Sequence, residues 1–300
     1  MKSRLVPLFL ISILLVANSI EAKSKALLRL NLQKGSVYEM TLVSTSNIDQ
    51  EMMGQKMKID QKMEMVYAYQ VLDVLANKNF QIEYSIVSTK LNTTMNGQEK
   101  NHDSGSSDQS DPMNSILKDI CSTKLMLEIN PRGQVEHVEG LDAYAKKLAG
   151  NPQLAQSMSM FTDEVSFSSF VGQTFNYFPE KEIKKGDKWT SFFKLPSMMN
   201  METTLNFEVA SMDKHETVLN VLSDVNLDSP VEQAGMKMNM KMTGTQTGTM
   251  TIDNRDGWFR SSELNQKFNL NLKMKNPQSG EYMEIPMVVN AVTKMTVIKK

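Results

Sequence analysis

The sequence predicts a mainly β protein of antiparallel curved sheets or open barrels, built as an internal duplication with a short helical segment in the middle. Three observations point there. Apolar and polar residues alternate with a period of two from Ser36 onward, three-and-four spacing is confined to the centre of the chain, and both flanks open on similar turn motifs. Strands with one wet face imply antiparallel pairing, because parallel strands buried on both faces read as continuous apolar runs.

Lys2 and Arg4 precede an apolar run, Leu5 to Ala17, and a more polar stretch ends at Ala22. This is the pattern of a cleaved signal peptide over residues 1–22, and the run is shorter than the roughly 20 residues of a spanning helix. The expected product is exported, periplasmic or extracellular, with no membrane span after cleavage. A first β half covers 23–140. In it Met57, Ile59, Met63 and Met65 alternate with Lys58, Asp60, Lys62 and Glu64, and Phe80, Ile82, Tyr84 and Ile86 with Gln81, Glu83 and Ser85. Residues 96–112 hold no apolar residue and predict a mobile polar loop.

Spacing then changes. Leu141, Tyr144, Ala145 and Leu148, followed by Leu154, Met158 and Phe161, fall on helical faces; Gly150 ends one helix, and Asn151 with Pro152 opens the next. A helical connector is expected over 141–178. The second β half, 179–300, carries Leu205, Phe207 and Val209, then Met236, Met238, Met240 and Met242 against Lys237, Asn239 and Lys241. Phe268, Leu270, Leu272 and Met274 alternate with Lys267, Asn269, Asn271 and Lys273. Lys34-Gly35-Ser36-Val37-Tyr38 opens the first half as Lys185-Gly186-Asp187-Lys188-Trp189 opens the second. Ile129 to Gly133 and Ile252 to Gly257 are each a Gly-closed turn between two short strands, which supports the duplication.

The 33 Lys and Arg balance 34 Asp and Glu, so no overall field favours a nucleic-acid partner. A single cysteine, Cys121, excludes an internal disulfide and a Cys-rich metal site. Motifs of hydrolytic or metal chemistry appear as fragments: His215-Glu216 has Leu219 where the second zinc ligand belongs, and His137-Val138-Glu139 lacks a Cys pair. No catalytic residue, cofactor or resident metal is expected. The composition anomaly is methionine, 25 in all.

Unbranched thioethers fill irregular cores, shape a deformable apolar surface, or bind Cu(I). The candidate ligand face is Met57, Ile59, Met63, Met65, Met236, Met238, Met240 and Met242. The leading expectation is a non-enzymatic protein that binds a hydrophobic ligand or an envelope component. Its alternatives are a Met-rich Cu(I)-binding periplasmic protein and a structural or interaction protein with no small ligand.

Pro179 to Trp189 (PEKEIKKGDKW) resembles the P-x-K-x-(V/I)-x-x-G-D-x-W segment of an uncharacterised exported bacterial family of unknown function, whose members also carry a K-G-x-x-Y segment like Lys34 to Tyr38. In physical terms this is a turn feeding a strand, with Trp189 entering the core. The resemblance implies no catalytic residue. More distantly, long antiparallel strands with a few helices are similar to the half-barrels of periplasmic lipoprotein carriers, a likeness of fold that implies acyl-chain binding between sheet and helices.

Overall fold

The computed structural model describes residues 25–52, 54–108, 110–149, 163–195, 201–233, 236–275 and 282–300. The chain runs through β1 (Val37–Met52), β2 (Gln55–Val74), β3 (Phe80–Met95), β4 (Gln98–Asp103), α1 (Pro112–Cys121), β5 (Lys124–Ile129), β6 (Val135–Glu139) and α2 (Leu141–Ala149). It continues with α3 (Glu164–Gly172), a 3₁₀ turn (Gln173–Phe175), β7 (Lys188–Leu195), β8 (Met201–Met212), β9 (Glu216–Gln233), β10 (Met236–Asp253), β11 (Phe259–Lys275) and β12 (Tyr282–Lys299). All the described strands join one 12-stranded antiparallel sheet in the order β6-β5-β3-β2-β1-β12-β11-β10-β9-β8-β7, with β4 on the flank of β3. The first and last strands therefore meet in its middle.

Alternation explains these long strands. In β11 each exposed polar residue from Ser261 to Lys267 is followed by a buried or half-buried one, so the strand turns one face to the interior along its length. Across the outer, convex face, Lys58 pairs with Asp49 (3.9 Å), Lys273 with Glu284 (3.2 Å) and Lys294 with Glu263 (3.1 Å).

The halves repeat one register. The Gly35 N–H donates to the Val71 carbonyl and the Gly186 N–H to the Val209 carbonyl; both glycines sit at φ 86°. One bulge follows Val71 on β2 and another follows Val209 on β8. Ile129 and Ile252, which end β5 and β10 one residue apart from the strand's limit or at it, each face a shifted partner, Val135 and Phe259.

One end of the concave side is filled by aromatics. Trp258 stacks on Tyr38 (4.3 Å between centroids) and meets Tyr69 and Phe175 edge-on at 5.1 and 4.9 Å. The turn before Trp258 is tied by Asp256, which accepts from the Trp258 N–H (3.0 Å), Tyr38 Oη (3.2 Å) and Arg260 Nη2 (2.9 Å). Arg260 also donates to Asp253, which Arg255 holds from the other side.

The helix α3 bridges the two edges of the sheet, packing on both β6 and β7. Asp163 caps it by accepting from the Ser166 N–H (2.9 Å), and Phe167 meets Tyr84 edge-on. Glu164 accepts the Val138 N–H of edge strand β6 (3.0 Å), while Asn176 donates to the Phe192 carbonyl of edge strand β7 (3.1 Å). Backbone groups that a sheet edge leaves free are thereby used.

Two expectations need correction. Residues 96–112 are not a loop throughout: Asn96 (φ 50°) and Gly97 (φ 82°) make a tight hairpin turn, and β4 pairs with β3 from Met95↔Gln98 to Lys90↔Asp103. An Asn-Gly turn twists to suit a hairpin, so β4 pairs beside it although that strand holds no apolar residue. A helix, α1, follows where no helix was expected, started by Asp111, whose side chain accepts from the Met113 N–H, and by Pro112 at its first turn. Within the expected connector, α2 and α3 are present, whereas Asn151, Pro152, Leu154, Met158 and Phe161 lie outside the described residues, as do residues 1–22.

A neutral concave face as the candidate functional site

Inward residues of neighbouring strands line up in rows across the sheet. One row is polar: Ser223, Gln246, Gln266, Ala291, Ser46, Gln61 and Thr93 face one another in turn from β9 to β3. Gln266 Nε2 donates to Gln246 Oε1 (2.7 Å), Thr293 Oγ1 to Gln266 Oε1 (3.4 Å), and Thr293 lies 3.2 Å from Ser44 Oγ. On the side away from the aromatics the rows turn apolar. The first holds Val225, Gly244, Phe268, Val289, Ile48 and Ile59, and the second Leu227, Met242, Leu270, Met287, the polar Gln50 and Met57. These two rows extend about 14 Å along the strands.

On the aromatic side the face encloses a cavity of about 420 Å³ between β1, β2, β8 to β12 and α3. Leu42, Leu205, Phe170, Met242, Met295 and the two glutamines are among its walls. Among the described residues, no Asp, Glu, Lys, Arg or His lines it. Tyr67, Tyr69 and Tyr177 in its wall stay neutral, since burial pushes the Tyr67 phenol up to about 12 and the Tyr69 and Tyr177 phenols well above their usual value. Such a space can hold apolar matter and offer it a few uncharged hydrogen bonds.

Met57, Ile59, Met63, Met65, Met238, Met240 and Met242 fall on this face but not in one site, and the Met236 side chain lies outside what the structure describes. Met242 lines the cavity; Met65 packs against the aromatic core, Met63 lies one row toward it from Gln61, and Ile59 and Met57 lie on the far side. Met238 and Met240 are buried farther along β10, and Met236 opens that strand opposite Gln233. The β2 group and the β10 group are four strands apart, about 20 Å across the sheet. The pairing unites them only through shared rows, such as the one that holds both Met57 and Met242. The polar row escaped the sequence reading, although Gln61 and Gln246 stand where their strands' alternation calls for an apolar residue.

Potential reactive groups lie elsewhere. His102 Nδ1 is 2.9 Å from Asp111, His137 Nδ1 is 2.7 Å from Glu164, and His215 is in the exposed turn between β8 and β9. Cys121 Sγ sits 3.7 Å from Thr89 Oγ1. Among the described residues no helix is long and apolar enough to cross a membrane. Membrane barrels turn an apolar band outward; here the convex face carries the charges and the concave face the apolar rows.

The chain is similar to several solved structures at low TM-score and low identity. A lipovitellin structure, described by its lipid–protein interactions, matches 89% of this chain at TM-score 0.48 and 11% identity, and this chain spans only 25% of that one. An outer membrane channel from Pseudomonas putida F1 (TM-score 0.26, 6% identity) matches 90% of this chain over 97% of its own. The β domain of the Bordetella autotransporter BrkA (TM-score 0.23, 7% identity) matches 89% over 100% of its own. No curated protein matches the sequence. A family model matches residues 77–259, from just before β3 to the start of β11 and more than half of the sequence: the chain belongs to the family of unknown function DUF6263.

Proposed function

We propose that this is an exported, non-enzymatic protein that binds an apolar ligand on its concave face. The observation that supports it is the continuation of apolar rows beyond the aromatic core, half-buried rather than packed shut, from a cavity of ligand size. A bilayer core of about 30 Å holds two acyl chains end to end, so one chain of about 15 Å matches the length of those rows. Methionines on them suit a cargo of variable shape. Organic extraction and native mass spectrometry of purified protein should reveal bound lipid, and N-phenylnaphthylamine should bind the extracted protein. Leu205→Trp, which fills the cavity, should weaken that dye by about tenfold. A bare polypeptide that takes up no dye overturns the proposal.

A second reading, Cu(I) binding, draws on one row in which Met238, Met274 and Met283 face each other on β10, β11 and β12. It expects tight Cu(I) uptake that is lost when Met236, Met238 and Met240 become Leu.

A further inference from the structure

The concave face differs from an ordinary lipid site in what it omits. Inward positions of β1, from Tyr38 to Gln50, alternate Tyr, Met, Leu, Ser, Ser, Ile and Gln; those of β12, from Met283 to Val297, alternate Met, Ile, Met, Val, Ala, Thr, Met and Val. The inward positions of β2 from Met57 to Val71, of β9 from Thr217 to Ser229, of β10 from Met238 to Ile252 and of β11 from Ser262 to Met274 are likewise without Asp, Glu, Lys, Arg or His. An ionised carboxylate or phosphate brought there meets no cation and loses its water, at a cost that apolar contacts do not offset. Charge on the cargo is therefore excluded from the interior.

The polar row adds a positive requirement. It crosses the sheet midway, the cavity reaching from the aromatic side past it to Val225, Met242 and Phe268 of the apolar rows, and apart from Ala291 its side chains are amides and hydroxyls. Gln246 lends its Oε1 to Gln266 and keeps two N–H donors at the cavity wall. Donors in an apolar surround are costly when unmet and suit a carbonyl oxygen. We propose that the cargo is an uncharged ester or amide of a long acyl chain, with its carbonyl at the Gln246–Gln266 row and hydrocarbon on both sides.

This rests on the reading of the concave face as a ligand site, and the test separates the two. Purified, delipidated protein is titrated at pH 8 with methyl palmitate, palmitate and hexadecane, which share a chain and differ in the polar end. Methyl palmitate should bind about tenfold or more tightly than palmitate, and palmitate should gain affinity as the pH falls toward 5 and its carboxyl takes up a proton. Gln246→Leu, which removes the two free N–H donors, should erase the preference for the ester over hexadecane while hexadecane binding persists. Gln266→Lys should draw palmitate in at pH 8. If palmitate equals or exceeds the ester in the unaltered protein, the neutral-cargo inference fails and the apolar-ligand reading stands. An ester preference that survives Gln266→Leu and Gln246→Leu overturns the placement at the polar row. Binding of none of the three probes sinks the ligand site itself.

Discussion

Asp253 and Asp256 are among the few buried carboxylates, and Arg260 serves both. The Asp253 carboxyl is held far below its usual range by hydrogen bonds from Arg255 first and then Arg260, against the opposing effect of burial. Arg260→Leu leaves two carboxylates buried side by side without their common cation, and urea titration should show a loss of about 3 kcal/mol. A carboxyl whose folded value is depressed contributes stability that is complete above its unfolded value of about 3.9 and fades as the pH falls toward the folded one. Unfolding midpoints should therefore drop as the pH is lowered below about 4, and the drop should shrink in Asp253→Asn. The Gly-closed turn at Ile252 to Gly257 was legible from its residue types. Its aromatic surroundings were not, because Tyr38, Tyr69 and Phe175 reach Trp258 from distant parts of the chain.

Two kinds of element carry the fold: repeated hairpins and a single bridging helix. Gly35 and Gly186 hold the same φ at the same place in the two halves, and an added Cβ at either meets open space. Alanine at each should then cost only the left-handed backbone penalty, about 1–2 kcal/mol, and the same amount at both sites by chemical denaturation. Glu164 ties α3 to the Val138 N–H and to His137, which together keep its carboxyl below the usual value, the backbone bond most of all. Glu164→Ala should cost about 1 kcal/mol, speed hydrogen exchange at Val138 and, by baring the β6 edge, promote self-association seen by light scattering. Strands were readable where the alternation is strict, over Met236 to Met242 of β10 and Lys267 to Met274 of β11, and not over the rest of either strand. The β3–β4 hairpin was missed because its polar composition outweighed the Asn96-Gly97 turn, and α1 because its capping Asp111 closes a polar tract.

For the molecule as a whole, period-two sequence revealed the class of fold but not the closure. Which strands meet depends on pairings across the chain, and the β1–β12 pair joins Tyr38 to Lys299. The methionine candidates were found on the inward face for the same reason: parity tells which side of a strand is inward, not which strands lie next to it. A chain cut after residue 280 lacks β12 and should expose the flanks of β1 and β11 together, precipitating or forming thioflavin-positive assemblies rather than a stable monomer.

That central seam also sets a timetable for folding. Because β12, made after β1 to β11, is the strand that joins the halves, the two sides cannot lock until it leaves the ribosome, and each must wait meanwhile with a long unmatched border. Closing a loop that spans almost the full length is slow, so the nascent protein is more vulnerable to misassociation than its completed form.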